Sequence, residues 1–596
     1  MEKYSVNQYT IEAIVNWVKS DEIAIPEIQR PFVWKKTKVR DLIDSLYKGY
    51  PVGYIITWRN PDIKLKNNEI SLGKKILIDG QQRITALTTS LLGQKIVDDK
   101  YNKIVIKIAF NPIKEMFDVL NSAIGKDDQW INDISEIFKS DFSTMKFVNN
   151  YIGKNQDLDP NLIEKRIQKL RNIIQKHIGV IELKHELDID IVTEIFIRIN
   201  SKGVVLSQAD FVMSKIASNK KYNGDILRKT IDYFCHANTK SEFIEFIKDH
   251  DIDFMKTVFF EKMKWISKIK DNLYNPDYKD MIRVSFCFKF KRGKLSDLVS
   301  LLSGRNFETR AYEEEIAEYS FEILNNAILN FMNRKYFERF LMIIKSCGFV
   351  NSKLINSKNA LNFSYALYLH LNEKKIEANL IENYIKRWFV MSVLLKRYSG
   401  SPESIFDRDI KNINLNGIEK TIKDVEDAQL TDSFWNIGLV QDLIRSQTNN
   451  PALNVFWAAQ IKNNDKGFLS KDITVKQMIE HRGDIHHIFP KSYLKNNNFT
   501  KNQYNQVANY VYVQQEINIK VGDKSPNKYL NEIKNHILEK NLKYSGINNI
   551  HELKDNFKTN CIPDEIFNMN HNNYEEFLDK RRKLMANKIK RYYQKL

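Results

Sequence analysis

Apolar and polar positions change their rhythm twice along the chain. Up to about residue 215, apolar residues gather in short runs, YIITW (54–58), KKILI (74–78), KIVIKIAF (103–110) and GVIEL (179–183), separated by stretches with helical spacing. Short strand-like runs alternating with amphipathic segments predict an α/β domain over 1–215. From 216 to 425 apolar residues fall three and four apart, as in AYEEEIAEYSFEILNNAILNFMNRKYF and LIENYIKRWFVMSVLLKRYSG, which predicts a helical middle. Turn-rich YSGSPES and NINLNG precede a boundary near 425. The remainder, 426–596, carries two short strand patterns and closes in a lysine- and arginine-rich helix. A chain of 596 residues exceeds one compact core. The expected fold class is therefore α+β, multidomain.

Charge narrows the partners. A net charge of +18 builds a field that attracts polyanions, nucleic acid first. Part of the lysine excess belongs to a chain rich in Lys, Asn, Ile and Tyr throughout, so chemistry has to come from motifs. No window of about 18 uncharged apolar residues is present and the start lacks a leader pattern, so a soluble, cytoplasmic protein without membrane partners is expected. Cys235, Cys287, Cys347 and Cys561 lie far apart without a CxxC pair. They predict buried thiols, neither a disulfide framework nor a zinc ribbon.

Two stretches carry candidate chemistry. In KKILIDGQQRITALTTSLLG an apolar strand runs into Asp79-Gly80, and a helix starts near Gln81. Such a junction aims unpaired backbone N–H groups and the positive end of a helix dipole at one point, which suits a phosphate. Gly80 permits close approach, Gln81 and Gln82 supply amides, and Arg83 supplies a fork for bidentate contact. Gln29-Arg30-Pro31 with Trp34 upstream, and Arg198, Asn200 and Gly203 in FIRINSKGVVLSQADF downstream, add polar groups in the same order along the chain. No GxxxxGK[ST] loop is present, so P-loop chemistry is not expected.

The second stretch is GDIHHIFPKSYL, where His486 and His487 sit side by side in a chain with only 11 histidines. A strand through them is followed by an Asn- and Lys-rich loop, a strand at about 510–513 and a helix or turn near Gln515. Phosphodiester hydrolysis needs a base for water, a hard cation for the developing charge and a group that holds the base in one tautomer. Imidazole, with an ordinary pKa near 6.5, can take a proton at neutral pH.

The three N-terminal motifs, QRPxxW, DGQQR and FxRxNxxGxxLS, resemble the ParB-like N-terminal domain of GmrSD-type restriction systems over roughly residues 1–215. The β-β-α layout resembles an HNH (ββα-metal) nuclease domain over about 430–560. The first resemblance implies that Asp79, Gly80, Gln81, Gln82 and Arg83 bind and hydrolyse a nucleoside triphosphate, GTP or another, with Gln29, Arg30, Arg198 and Asn200 as neighbours. The second implies His487 as general base, His486 as metal ligand where the family often has aspartate, Asn509 as the residue orienting the base, and Asn518 as second ligand. The metal would be Mg²⁺ or Mn²⁺, with Lys491 and Lys520 on the substrate phosphate. Asp484, two residues before His486, is in position to add negative charge. His481 is given no role.

Together the resemblances imply a nucleotide-regulated, metal-dependent endonuclease or nickase that acts on modified phage DNA. The expected domains are a sensor at 1–215, a helical connector at 216–425 and the nuclease at 426–596, and a homodimer is compatible with this layout. A nucleotide-regulated DNA-binding module with an inactive HNH region, or an RNase toxin, stays open at this point. The tail KRRKLMANKIKRYYQKL is either a track for DNA backbone, aided by Tyr592 and Tyr593, or a solvated helix face.

Overall fold

The computed structural model describes residues 3–20, 22–24, 32, 34–58, 75–97, 103–155, 157–184, 187, 195, 208–219, 221–268, 273–311, 313–444, 449–481 and 485–596. Residues 1–229 and 230–596 form two compact units. The stretches expected as a connector and a nuclease domain fall mainly in the second of these units.

In the first unit the alternating runs build a mixed five-stranded sheet. Its strands are β1 (Tyr4–Thr10), β2 (Ile23–Ala24), β3 (Tyr54–Trp58), β4 (Lys75–Asp79) and β5 (His177–Leu183), in the order β1-β5-β3-β4-β2. β1 runs antiparallel to β5, β5 parallel to β3, β3 antiparallel to β4, and β4 parallel to β2. The period of two sorts the side chains. Ile55, Leu77, Ile178 and Val180 face a core shared with helices α1 (Ile11–Lys19), α2 (Lys36–Lys48) and α3 (Gln81–Leu92), while Ile56, Trp58, Ile78 and Leu183 form a smaller cluster. The run 103–110, which reads as one strand, is divided between Lys103–Ile104 and Ile108–Asn111, each paired in its own hairpin.

The second unit is helical. α4 (Tyr278–Phe290) packs against α5 (Glu314–Phe331) and α6 (Lys358–Glu373), and α6 against α7 (Ala378–Leu394). α7 continues the packing to α8 (Pro451–Lys462) and to the last helix, which ties the 278–394 bundle to the C-terminal part. Helix α6 is buried from Ala360 to Leu371, as expected of a helix apolar on all sides. Within this frame lie β6 (Ile485–His487), α9 (Lys491–Asn496), β7 (Tyr510–Tyr512), α10 (Gln515–Val521), α11 (Pro526–Leu538) and α12 (Tyr574–Gln594). The observed architecture is mixed, helix-dominated and multidomain, in line with the expected α+β class.

Candidate active site

β6 and β7 pair antiparallel in the register Ile485↔Tyr512, His486↔Val511, His487↔Tyr510, and α10 starts three residues after β7. The β-β-α order expected from the spacing is therefore present. Gln514 accepts the backbone N–H of Asn518 and so starts α10. Val511 on β7 and Ile517 and Val521 on α10 are buried.

His487 ends the first strand, half-buried. Its ring lies edge-on to Tyr510, with centroids 5.2 Å apart, and 6.3 Å from Tyr504. Its Nε2 is 3.0 Å from Oδ1 of Asn505. Burial pulls the imidazole pKa below its ordinary value; the Asn505 bond opposes this, and the positive charge of Lys491 and the neighbouring His486 reinforce it. The ring is thus held neutral at neutral pH, the state in which it can accept a proton.

Asn509 occupies a different place from the one its expected role suggests. Fully buried, it accepts the N–H of Phe489 (2.8 Å) and donates to the carbonyls of Phe489 (3.1 Å) and Tyr504 (3.2 Å). Its own carbonyl accepts the N–H of Ile488 at 2.9 Å. Asn509 therefore braces the turn that follows the histidines, and the amide on the imidazole belongs to Asn505. Tyr529 donates to the Ile488 carbonyl at 2.9 Å from α11, a second brace.

His486 is half-buried opposite Val511, and Asn518 is half-buried on α10, where its carboxamide makes no hydrogen bond to another described residue. Lys491 opens α9, with its ammonium 5.8 Å from the Tyr504 ring, and Lys520 is exposed on α10. Asp484 lies outside the described residues. No group of three His, Cys, Asp or Glu side chains suited to a metal occurs among the described residues. His486 on β6 and Asn518 on α10 bring one imidazole and one carboxamide to the module.

The basic tail is two-sided: Lys583, Arg591 and Lys595 stay exposed, while several of its charged and aromatic side chains turn inward. Arg581 is fully buried, donating to the carbonyls of Ala508 (2.8 Å), Tyr510 (2.9 Å) and Asn560 (3.2 Å). Arg582 reaches Asp579 at 2.7 Å and Gln506 at 3.2 Å. Tyr592 and Tyr593 are buried and donate to the Cys347 carbonyl and to Glu426, both at 2.5 Å. These side chains clamp the two-strand module to the helical frame. Asn505, Arg581 and Tyr529 carry no signal in the sequence alone, because asparagines crowd NQYNQ and the arginine sits in a charge run. All four cysteines are buried free thiols, as the spacing predicts.

In the first unit, Gly80 caps α3 in the left-handed region at φ 100°, where a Cβ would meet Ile55 Cγ1 at 3.0 Å. Arg83 donates to the carbonyl of Tyr54 and stands 3.9 Å from Asp79. Gly53 leaves room for it, since a Cβ there would lie 3.2 Å from the guanidinium. Asp79 pairs with Ile56 at the end of β4, and Gln81 and Gln82 lie half-buried in the first turn of α3. The strand-turn-helix junction that suits a phosphate is thus formed, with Arg83 folded onto the start of β3. Gln29, Arg30, Arg198 and Asn200 lie outside the described residues. Cavities of about 490 Å³, beside Glu426 and Tyr593, and about 550 Å³, beside Trp265 and Arg339, belong to neither motif.

Comparison with known proteins places these geometries in context. Residues 11–217 match the GmrSD restriction endonuclease N-terminal domain. An uncharacterized protein of Methanocaldococcus jannaschii is 22% identical over 629 aligned positions, covering 95% of this chain and 96% of that protein. The domain match supports a restriction-nuclease role with DNA as the substrate. Among the described residues no helix is long and apolar enough to cross a membrane.

Proposed function

From the match of residues 11–217 to a restriction endonuclease domain, we propose that the chain is a nucleotide-regulated, metal-dependent endonuclease or nickase for modified phage DNA. One observation carries the cleavage half of this reading. A neutral histidine, held through one ring nitrogen by Asn505 at 3.0 Å, ends a strand of a β-β-α module.

In the reaction the free ring nitrogen of His487 takes the proton from water as it attacks phosphorus. His486 and Asn518 would hold a divalent ion, which supplies charge stabilisation at the phosphate and the leaving oxygen. Lys491 and Lys520 lie on the helices flanking the strands and serve the phosphodiester backbone. At the other end, Gly80 and the first turn of α3 receive the phosphates of a nucleoside triphosphate, GTP or another, with Arg83 beside them.

The test is digestion of unmodified and base-modified phage DNA, and of RNA, with Mg²⁺ or Mn²⁺, by wild type and His487→Ala. Wild type is expected to cut DNA, and the variant to lose about 10²- to 10⁴-fold in rate, the usual share of a general base. Equal cutting by both proteins sinks the assignment. Cleavage confined to RNA makes the chain a ribonuclease with the same site. DNA binding without cleavage makes it a binding module.

A further inference from the structure

We propose that Asn505 is the positioning residue of the nuclease site, holding His487 in the Nε2–H tautomer so that Nδ1 presents its lone pair to water. This rests on the nuclease reading of the same site and deepens it.

A carboxamide oxygen only accepts hydrogen bonds, so with Asn505 Oδ1 facing Nε2 at 3.0 Å the contact is satisfied when Nε2 carries the proton. The other nitrogen is then the basic one. Without this contact a neutral imidazole can adopt either tautomer and can turn about its side-chain bonds.

The surroundings of Asn505 are built to keep it there. It caps the short helix Lys501–Tyr504, which starts on a capping box between Thr500 and Gln503, and its own N–H bonds to the Lys501 carbonyl at 3.2 Å. The preceding carbonyl, that of Tyr504, accepts from Asn509 at 3.2 Å and from Tyr574 at 3.3 Å. Asn509 at the same time holds Phe489, two residues beyond His487, through both its N–H and its carbonyl. One buried amide therefore sets the distance between the base and its holder. Asn509 acts on the backbone at both ends, and Asn505 acts on the ring.

The experiment uses the full chain. Histidine-selective ¹⁵N labelling at pH 8 without metal reads the tautomer directly, and the His487 signals are assigned by their loss in His487→Gln. The wild-type ring is expected to show a protonated Nε2 and an unprotonated Nδ1; the reverse pattern overturns the proposal without any variant of Asn505. In Asn505→Leu, similar in size but without an acceptor, the signals are expected to shift to a tautomer mixture.

Cleavage of bis(p-nitrophenyl) phosphate and of plasmid with Mn²⁺ is then expected to lose about 10- to 100-fold in kcat, with KM unchanged. Asn505→Asp, which keeps the accepting oxygen, is expected to recover most of that loss. Wild-type kcat in Asn505→Leu overturns the positioning role. Wild-type cleavage by His487→Gln is a separate result, which removes the nuclease assignment of this site and the proposal with it.

Discussion

At the scale of single residues, His370 shows how burial converts a titration into stability. It lies on α6 with 1% of its surface exposed, its Nδ1 is 2.8 Å from the Lys291 ammonium, and its Nε2 has no hydrogen-bond partner among the described residues. Burial first, then the charges of Lys291 and Lys374, push its pKa down to about 3. An unfolded chain protonates the same ring near 6.5. Between those values the unfolded state binds a proton that the folded state refuses, so stability is full above about pH 6.5 and falls as the pH drops toward 3. The slope from this one group reaches about 1.4 kcal/mol per pH unit. His370→Gln removes the titration while keeping an acceptor for Lys291. The unfolding free energy of wild type minus that of the variant, from urea melts at pH 6, 5 and 4, is expected to fall by about that slope. A difference independent of pH would mean that the native ring protonates normally.

At the scale of elements, the last helix carries more of the site than its composition suggests. α12 is rich in lysine and arginine, yet Arg581 reaches three carbonyls, one just before β7 and one at its first residue. Its surroundings lower the guanidinium pKa to about 10 through burial. Arg581→Met keeps the apolar bulk but leaves three buried carbonyls without a donor. At about 1–3 kcal/mol for each unsatisfied group, a loss of about 3 kcal/mol or more is expected. The loss should appear in thermal unfolding of the second unit, with cleavage falling alongside. A variant as stable as wild type would show that water replaces the guanidinium.

The helix also marks where the sequence could be read and where it could not. The β4–Gly80–α3 junction was legible because a glycine stands between an apolar run and a helix, and its left-handed φ bears that out. β6, β7 and α10 were legible from residue rhythm and spacing. The burial of Arg581 and Tyr592 was not, since a charge run reads the same whether its face meets solvent or backbone carbonyls. Nor was the exchange of Asn509 for Asn505 on the imidazole. Four residues separate the two, both are asparagines, and only the turn they brace decides which one meets the ring.

At the scale of the whole molecule, the proposed function assigns two chemistries to two units of one chain, and a nuclease in a cell must leave the host genome intact. A net charge of +18 draws any DNA to the surface, so electrostatic attraction alone provides no discrimination. Selectivity then has to come from a second input, and the phosphate-suited junction at Gly80 is the place for it in the first unit. If nucleotide occupancy raises cleavage by shifting a two-state equilibrium, the effect on DNA affinity is bounded by the coupling free energy. That coupling is typically about 1–3 kcal/mol, or about 5- to 150-fold, and it must be reciprocal. Modified DNA is therefore expected to tighten nucleotide binding by the factor by which the nucleotide tightens DNA binding.

Calorimetry with a non-hydrolysable triphosphate, on the His487→Ala chain so that DNA survives, measures both legs of the cycle. Arg83→Ala, which removes the guanidinium from the junction, is expected to abolish the coupling while leaving basal DNA affinity within about twofold, because one phosphate-directed charge among many changes nonspecific binding little. Cleavage of modified and plain DNA, with and without nucleotide, supplies the functional counterpart. Only the combination of modified DNA and nucleotide is expected to run fast. Equal rates in all four conditions would set the coupling at zero and leave the first unit without control over the second.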